Sequence, residues 1–320
     1  MRRSAHSATP ARAACSATAC SENPERGKPD DAARILTPPQ RVWDDARRIR
    51  STHFRPENTE RVRWGMALTE AEFFPIEYSL REIELARELG SHKISAHAGF
   101  GESSRHTRYV ERLAAAGALD SDLLLVHGWS LSDHELELMV RHGTTLAVTP
   151  ETELQMGMGF PALARFAELG GRAGLGIDIV SNQSSDMFTQ MRLALQTSRG
   201  YDNDRLARRR LFPVHLRMTT EDILKSATID GAHALGLGHE VGSLTMGKRA
   251  DLLLIRRRDI NMAPVNDAVA AVVRCANTGN RHCHRRRSHP QAPRTAHSPQ
   301  SGRPRRSAPG VHNQSADARE

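Results

Sequence analysis

The sequence predicts an α/β fold built on a parallel sheet, and three observations predict it. Between residues 41 and about 280, short apolar runs alternate with helical stretches, the pattern of consecutive β–α units. Most of the helical stretches stop at a glycine. The runs are apolar throughout, as expected where both faces of a strand are buried.

Taken in order, Arg61–Leu68 is a candidate strand, followed by a helix from Ser79 to Leu89. Ser79 is its candidate N-cap, with Glu82 three residues on and Gly90 as stop. Lys93–His97 is the second strand, and a helix from about Arg105 to Ala116 ends at Gly117. Asp122–His127 is the third strand, with a helix from Ser132 to His142 stopped by Gly143. Thr144–Thr149 is the fourth strand, closed by Pro150, and Pro161–Leu169 the next helix, stopped by Gly170. Ala173–Asp178 ends the series of strands, and a longer helix, Asp186–Thr197, follows it.

The two ends differ in character. Residues 1–40 carry no large aliphatic or aromatic side chain between Met1 and Ile35, so they read as a disordered extension. Their Arg- and Ser-rich, acid-poor start also has the look of a transit peptide, the weaker reading. Residues 281–320 contain no Leu, Ile, Phe or Met and read as a disordered Arg-rich tail. That tail has nine arginines against Asp317 and Glu320, so nearly all of the net charge of +8 sits there. A nucleic-acid partner for the tail is therefore an alternative reading, weakened by the absence of aromatic residues for stacking. No apolar stretch reaches the ~18 residues of a membrane span. Cys15, Cys20, Cys275 and Cys283 show no zinc-ribbon spacing, and a reducing cytoplasm is the expected location.

His97, His127 and Asp178 each stand at the C-terminal end of a predicted strand. In an α/β barrel that end is the catalytic face. Imidazoles and carboxylates are the donors a hydrolytic metal site needs around an open position for water. The metal lowers the pKa of that water, and a nearby base moves its proton. A single histidine at a strand end is usually a hydrogen-bonded structural residue; three such groups on one rim are harder to assign to packing.

These segments resemble strands five, six and eight of the amidohydrolase superfamily: Ile94–His97, Leu125–His127 and Leu175–Asp178. Thr149–Gly159 is similar to that family's proline-led loop. Thr228–Leu237 with Gly242–Ile255 resembles its C-terminal signature, which marks the return to a small β-sandwich domain. The nearest branch is the deaminase and chlorohydrolase group. The resemblance implies a partial TIM-type barrel (strands about four to eight) over residues 41–235 and the return segment over 236–280. It also implies a divalent metal, zinc or alternatively iron, and hydrolysis of a non-peptide C–N bond in a small heterocycle. His97 would be a metal ligand. Asp178 would be a ligand and the base for the attacking water. His127 would orient substrate or stabilise the developing oxyanion. A homo-oligomer stays compatible with the sequence, and a membrane partner is not expected.

Two departures shape the expectation further. The family's His-x-His pair has no counterpart before Arg61; His282-Cys283-His284 has the spacing but falls in the tail, off any predicted strand. Phe100 stands where many relatives carry a proton-donating Glu. With the abrupt composition change after Asn280, these suggest a truncated, frame-disrupted copy that folds poorly or binds metal weakly. An inactive remnant is the alternative. Among the remaining residues, Met156, Met158 and Met187 are core fillers or the lining of a substrate mouth, and Glu153 is a solvated loop carboxylate or a contact for substrate amino groups.

Overall fold

A computed structural model describes residues 40–57, 62–70, 72, 74–181, 183–249 and 251–285. The expected disorder of residues 1–39 and of the tail beyond Arg285 lies outside the described residues.

Five strands form one parallel sheet: β1 (Met66–Ala67), β2 (Ile94–Ala98), β3 (Leu123–His127), β4 (Thr145–Val148) and β5 (Ala173–Leu175). Their order in the sheet is their order in the chain. Among the described residues the sheet stays open, an arc of a (β/α) barrel. Helices α1 (Gln40–His53), α2 (Ile76–Glu88), α3 (Tyr109–Ala115), α4 (Asp133–His142), α5 (Pro150–Gln155), α6 (Leu163–Glu168) and α7 (Met187–Arg208) precede or connect the strands. Two short helices, α8 (Thr220–Ser226) and α9 (Ile229–Ala234), follow. The chain then enters β6 (Asp251–Ile255), α10 (Ala268–Cys275) and β7 (Arg281–Arg285). Among the described residues no helix is long and apolar enough to cross a membrane.

The two faces of the sheet differ, which corrects the expectation of strands buried on both sides. Ile94, Ala96 and Ala98 of β2 are buried, as are Leu123 and Leu125 of β3 and Leu146 and Val148 of β4. In the parallel register these line one face, Ile94 beside Leu123 and Leu125 beside Leu146. Each Val, Leu or Ile among them contributes ~1.5–3 kcal/mol on burial, and together with Leu113, Leu136, Met139 and Phe166 they make the core. The opposite face carries the buried Leu124, but Ser95, His97, Val126, Thr145 and Ala147 around it are only half-buried. Helix α9 covers the start of this face: Gly174 lies against Gly231, where a Cβ would come within 3.0 Å of the Gly231 Cα.

Capping follows the sequence in α4. Ser132 accepts from the Glu135 N–H and Glu135 reaches back to Ser132, with Gly143 left-handed at the C-cap. In α2 it does not. The helix starts at Ile76 after Pro75, and Ser79 is buried inside it. Glu82 accepts from the Thr69 N–H at 2.9 Å and the Thr69 hydroxyl at 2.8 Å. Pro75, at the N-cap, has no N–H to leave unsatisfied at the helix start. The same effect makes α5 out of the proline-led loop, with Pro150 at its first turn.

β7 corrects the reading of the tail. Arg281–Arg285, including His282-Cys283-His284, pairs antiparallel with β6, Leu253 opposite Cys283. The first five residues of what read as a disordered tail form a strand despite their polar composition, because backbone pairing needs no particular side chain. Asn280 anchors its start, accepting from the Asn261 side-chain amide at 2.8 Å.

Candidate active site

The site is built at the C-terminal ends of β2, β3 and β5. His97 is the penultimate residue of β2 and faces the half-buried side. Its Nδ1 lies 2.9 Å from Glu70 Oε1 and 3.1 Å from Oε2. This hydrogen bond is the main reason the His97 pKa is raised above the ordinary histidine value; the charges of Glu70, Asp178 and Glu72 add to it, against burial. Glu70 in turn is lowered, first by the bond to His97. The bond leaves Nε2 as the ring's remaining nitrogen. Metal-binding histidines are oriented by carboxylates in this way.

His127 ends β3. In register it pairs with Ala98, which would point its side chain under the helices. Its φ is 82°, left-handed, and the ring ends 5.3 Å from the His97 ring, centroid to centroid. A non-glycine residue in this region is strained by ~1–3 kcal/mol and persists only where the surroundings hold it. Here they do. Gly128 N–H donates to Ala98 O at 2.8 Å and Ser130 N–H to Gly99 O at 3.0 Å. Gly128 is also left-handed, and a Cβ there would meet Leu146 at 2.9 Å. His127 is 2% exposed, with Nδ1 3.2 Å from Glu153 Oε1 and 3.1 Å from Thr149 Oγ1. Phe100 stands over both imidazoles, 6.1 Å from His97 and 6.0 Å from His127.

Asp178 lies three residues past the end of β5, again left-handed at φ 69°. Its loop is tied to β4: Gly176 N–H donates to Val148 O at 2.8 Å and Thr152 Oγ1 to Ile177 O at 3.3 Å. Asp178 is close enough to favour the charged form of His97. The structure therefore brings all three sequence-predicted residues to one rim.

Two carboxylates were missed or misread. Glu70 lies three residues past the end of β1, at the same end of the sheet as His97; the strand-end rule that picked out His97 would have found it. Glu153 is neither solvated nor open to a ligand. It is fully buried under His127. Glu72 is a structural neighbour: it accepts from Gly99 N–H at 2.8 Å and from the Ser104 hydroxyl, fixing the loop after β2.

The chain matches the sequence profile of the amidohydrolase family over residues 86–279, more than half its length. It belongs to the amidohydrolase family. Among curated relatives, the 5-methylthioadenosine/S-adenosylhomocysteine deaminase of Acetivibrio thermocellus is 32% identical over 175 residues, 53% of this chain and 38% of that protein. The enzyme of the same name from Moorella thermoacetica is 29% identical over 210 residues, 62% of this chain and 46% of that protein. This amidohydrolase chain thus spans less than half the length of those two relatives. Among solved structures, a zinc-bound adenosine deaminase from Xanthomonas campestris superposes with a TM-score of 0.64 at 21% identity, over 76% of this chain and 54% of that one. A mutant atrazine chlorohydrolase from Arthrobacter aurescens, with zinc and atraton, gives 0.64 at 18% identity, over 76% of this chain and 53% of that one. Those two likenesses establish the shared fold.

The family's metal can be tested against the side chains. Imidazole and carboxylate are the right donor types for zinc, and His97 is oriented as a ligand would be. The number is insufficient: no group of three or more His, Cys, Asp or Glu is gathered to hold a metal ion among the described residues. A zinc site takes at least three protein donors, so the described residues do not complete one.

Proposed function

We propose that this amidohydrolase chain serves the metal-dependent hydrolysis of a non-peptide C–N bond in a small heterocycle, a deamination or a related displacement. The observation that carries the reading is the pairing of the His97 and His127 rings, 5.3 Å apart on adjacent strand ends of the family fold. The deaminase relatives support the substrate class. In this reading His97 and Asp178 would supply two of the donors to a metal that activates water, and a complete zinc site would need at least one more. Asp178 takes the proton of the attacking water, and His127 holds the substrate or the oxygen on which charge develops. Phe100 walls the site where a proton-donating carboxylate would otherwise stand, so proton delivery to the leaving group falls to Asp178 or His127.

The donor count also sets the expected strength. With two donors the chain should hold zinc weakly. The test is ammonia release from 5-methylthioadenosine, S-adenosylhomocysteine and adenosine by the purified chain, titrated with zinc and then with chelator. The expected result is hydrolysis that rises only with excess zinc and disappears with chelator and in Asp178→Asn. Hydrolysis indifferent to chelator would exclude the metal. No hydrolysis of any amino-heterocycle at saturating zinc would exclude the activity.

A further inference from the structure

The pair formed by His127 and Glu153 goes beyond the placement of ligands. Glu153 is fully buried, and so is His127 at 2% exposure. Burying a carboxylate is costly unless its oxygens are bonded. Glu153 Oε1 accepts from the Thr149 N–H at 2.8 Å and the Thr149 hydroxyl at 3.3 Å, and it lies 3.2 Å from His127 Nδ1. Oε2 has no hydrogen-bond partner among the described residues. Capping α5 would use the first of these contacts alone and would not require a charged group beneath an imidazole.

The tautomer follows from counting protons. If Nδ1 carries the proton, it donates to Oε1 or to Thr149 Oγ1, the Thr149 hydroxyl donates to Oε1, and every donor in the cluster has an acceptor. If Nε2 carries it instead, the Nδ1 lone pair faces a carboxylate oxygen at 3.2 Å. The one Thr149 hydroxyl proton can then satisfy only one of the two. The buried site penalises that arrangement.

We infer that Glu153 is a positioning residue, which holds the His127 ring as its Nδ1–H tautomer and leaves Nε2 as an acceptor on the far edge of the ring. His127 then receives a proton or a hydrogen bond from water or substrate. The inference rests on the reading proposed above for the role of Nε2, but the tautomer itself does not depend on turnover.

The experiment is a long-range proton–nitrogen correlation spectrum of the full chain with ¹⁵N-labelled histidine. The His127 signals are assigned by their loss in His127→Gln. At a pH where the ring is neutral, wild type should show the Nδ1–H pattern. Glu153→Gln, whose amide oxygen can still face Nδ1 and the Thr149 N–H, should keep it. Glu153→Met should exchange the two nitrogen shifts toward Nε2–H, the form free imidazole prefers, with the other histidine signals unmoved. An Nε2–H ring in wild type overturns the inference, and so does an unchanged tautomer in folded Glu153→Met. If Glu153→Met does not fold, the wild-type spectrum decides. A Nδ1–H ring in a chain without hydrolysis would keep the inference and remove the proposed function.

Discussion

The two ends of the parallel sheet are built on opposite principles. At the N-terminal end polar side chains of successive units are tied to carbonyls and to one another. Lys93 Nζ donates to Ser121 O at 2.6 Å, and Thr144 Oγ1 to Asp120 O at 2.8 Å. Thr145 Oγ1 lies 3.0 Å from Ala234 O and 3.2 Å from Leu123 O. Arg87 takes both Asp122 oxygens, at 2.7 and 3.0 Å. At the C-terminal end two non-glycine residues, His127 and Asp178, are left-handed, and the Glu153 Oε2 is buried without a hydrogen-bond partner among the described residues. Met156, Phe160, Ile179 and Val180 are exposed in the loops there. One end closes the fold, while the other stores strain where groups must meet a ligand.

The strongest challenge to this contrast is between the ends. Leu125→Ala, at a fully buried position in mid-sheet, should cost ~2–5 kcal/mol in a denaturant titration. A cost near zero would show that the sheet is not the stabilising core. Thr145→Val should cost ~1 kcal/mol by the same measurement, from the carbonyls it leaves unmet at the closed end. Asp178→Gly should behave in the opposite way at the strained end. It relieves a left-handed Cβ, so stability should hold or rise by up to ~1 kcal/mol while hydrolysis is lost. A clear fall in stability would mean that Asp178 is structural.

The two ends should also titrate oppositely. Burial lowers Lys93 from 10.5 to about 8. Between those values the unfolded chain holds a proton the folded one has released, so stability should rise with pH across that window. Lys93→Met should flatten the rise in thermal melts. His97 is raised by Glu70. Its contribution is complete below the ordinary histidine value and is lost as pH rises through the raised one. Both side chains are about half exposed, so solvent screens the pair and Glu70→Gln should cost no more than ~0.5 kcal/mol. Its clearer effect is a fall of the His97 pKa, read by NMR. A His97 titration that does not move in Glu70→Gln breaks the assignment of that pair.

The sequence was informative where one local rule governs. Alternating apolar runs and glycine stops located β2 to β5 within a few residues, and the strand-end rule picked out His97, His127 and Asp178, which lie at the same end of the sheet. It was silent where partners lie far apart in the chain. Glu70 meets His97 across 27 positions, and Glu153 meets His127 across 26. Nothing local distinguishes a carboxylate that folds under an imidazole from one in water. The left-handed turn at His127 was equally hidden, since histidine is enriched in that region but still adopts it only rarely. Helix α2 began early because Pro75 outweighed the Ser79 and Glu82 pattern, whose carboxylate was already engaged by Thr69.

The sheet order β1-β2-β3-β4-β5 has a kinetic consequence. Each strand pairs with the one made just before it, so every ladder closes a loop of one or two helices and their connections. Such nearest-neighbour pairing keeps sequence separations short and speeds folding. The sheet can therefore grow one β–α unit at a time as the chain leaves the ribosome. On that course His97 and His127 are brought together once β3 is laid down, and Asp178 joins them only when β5 is added.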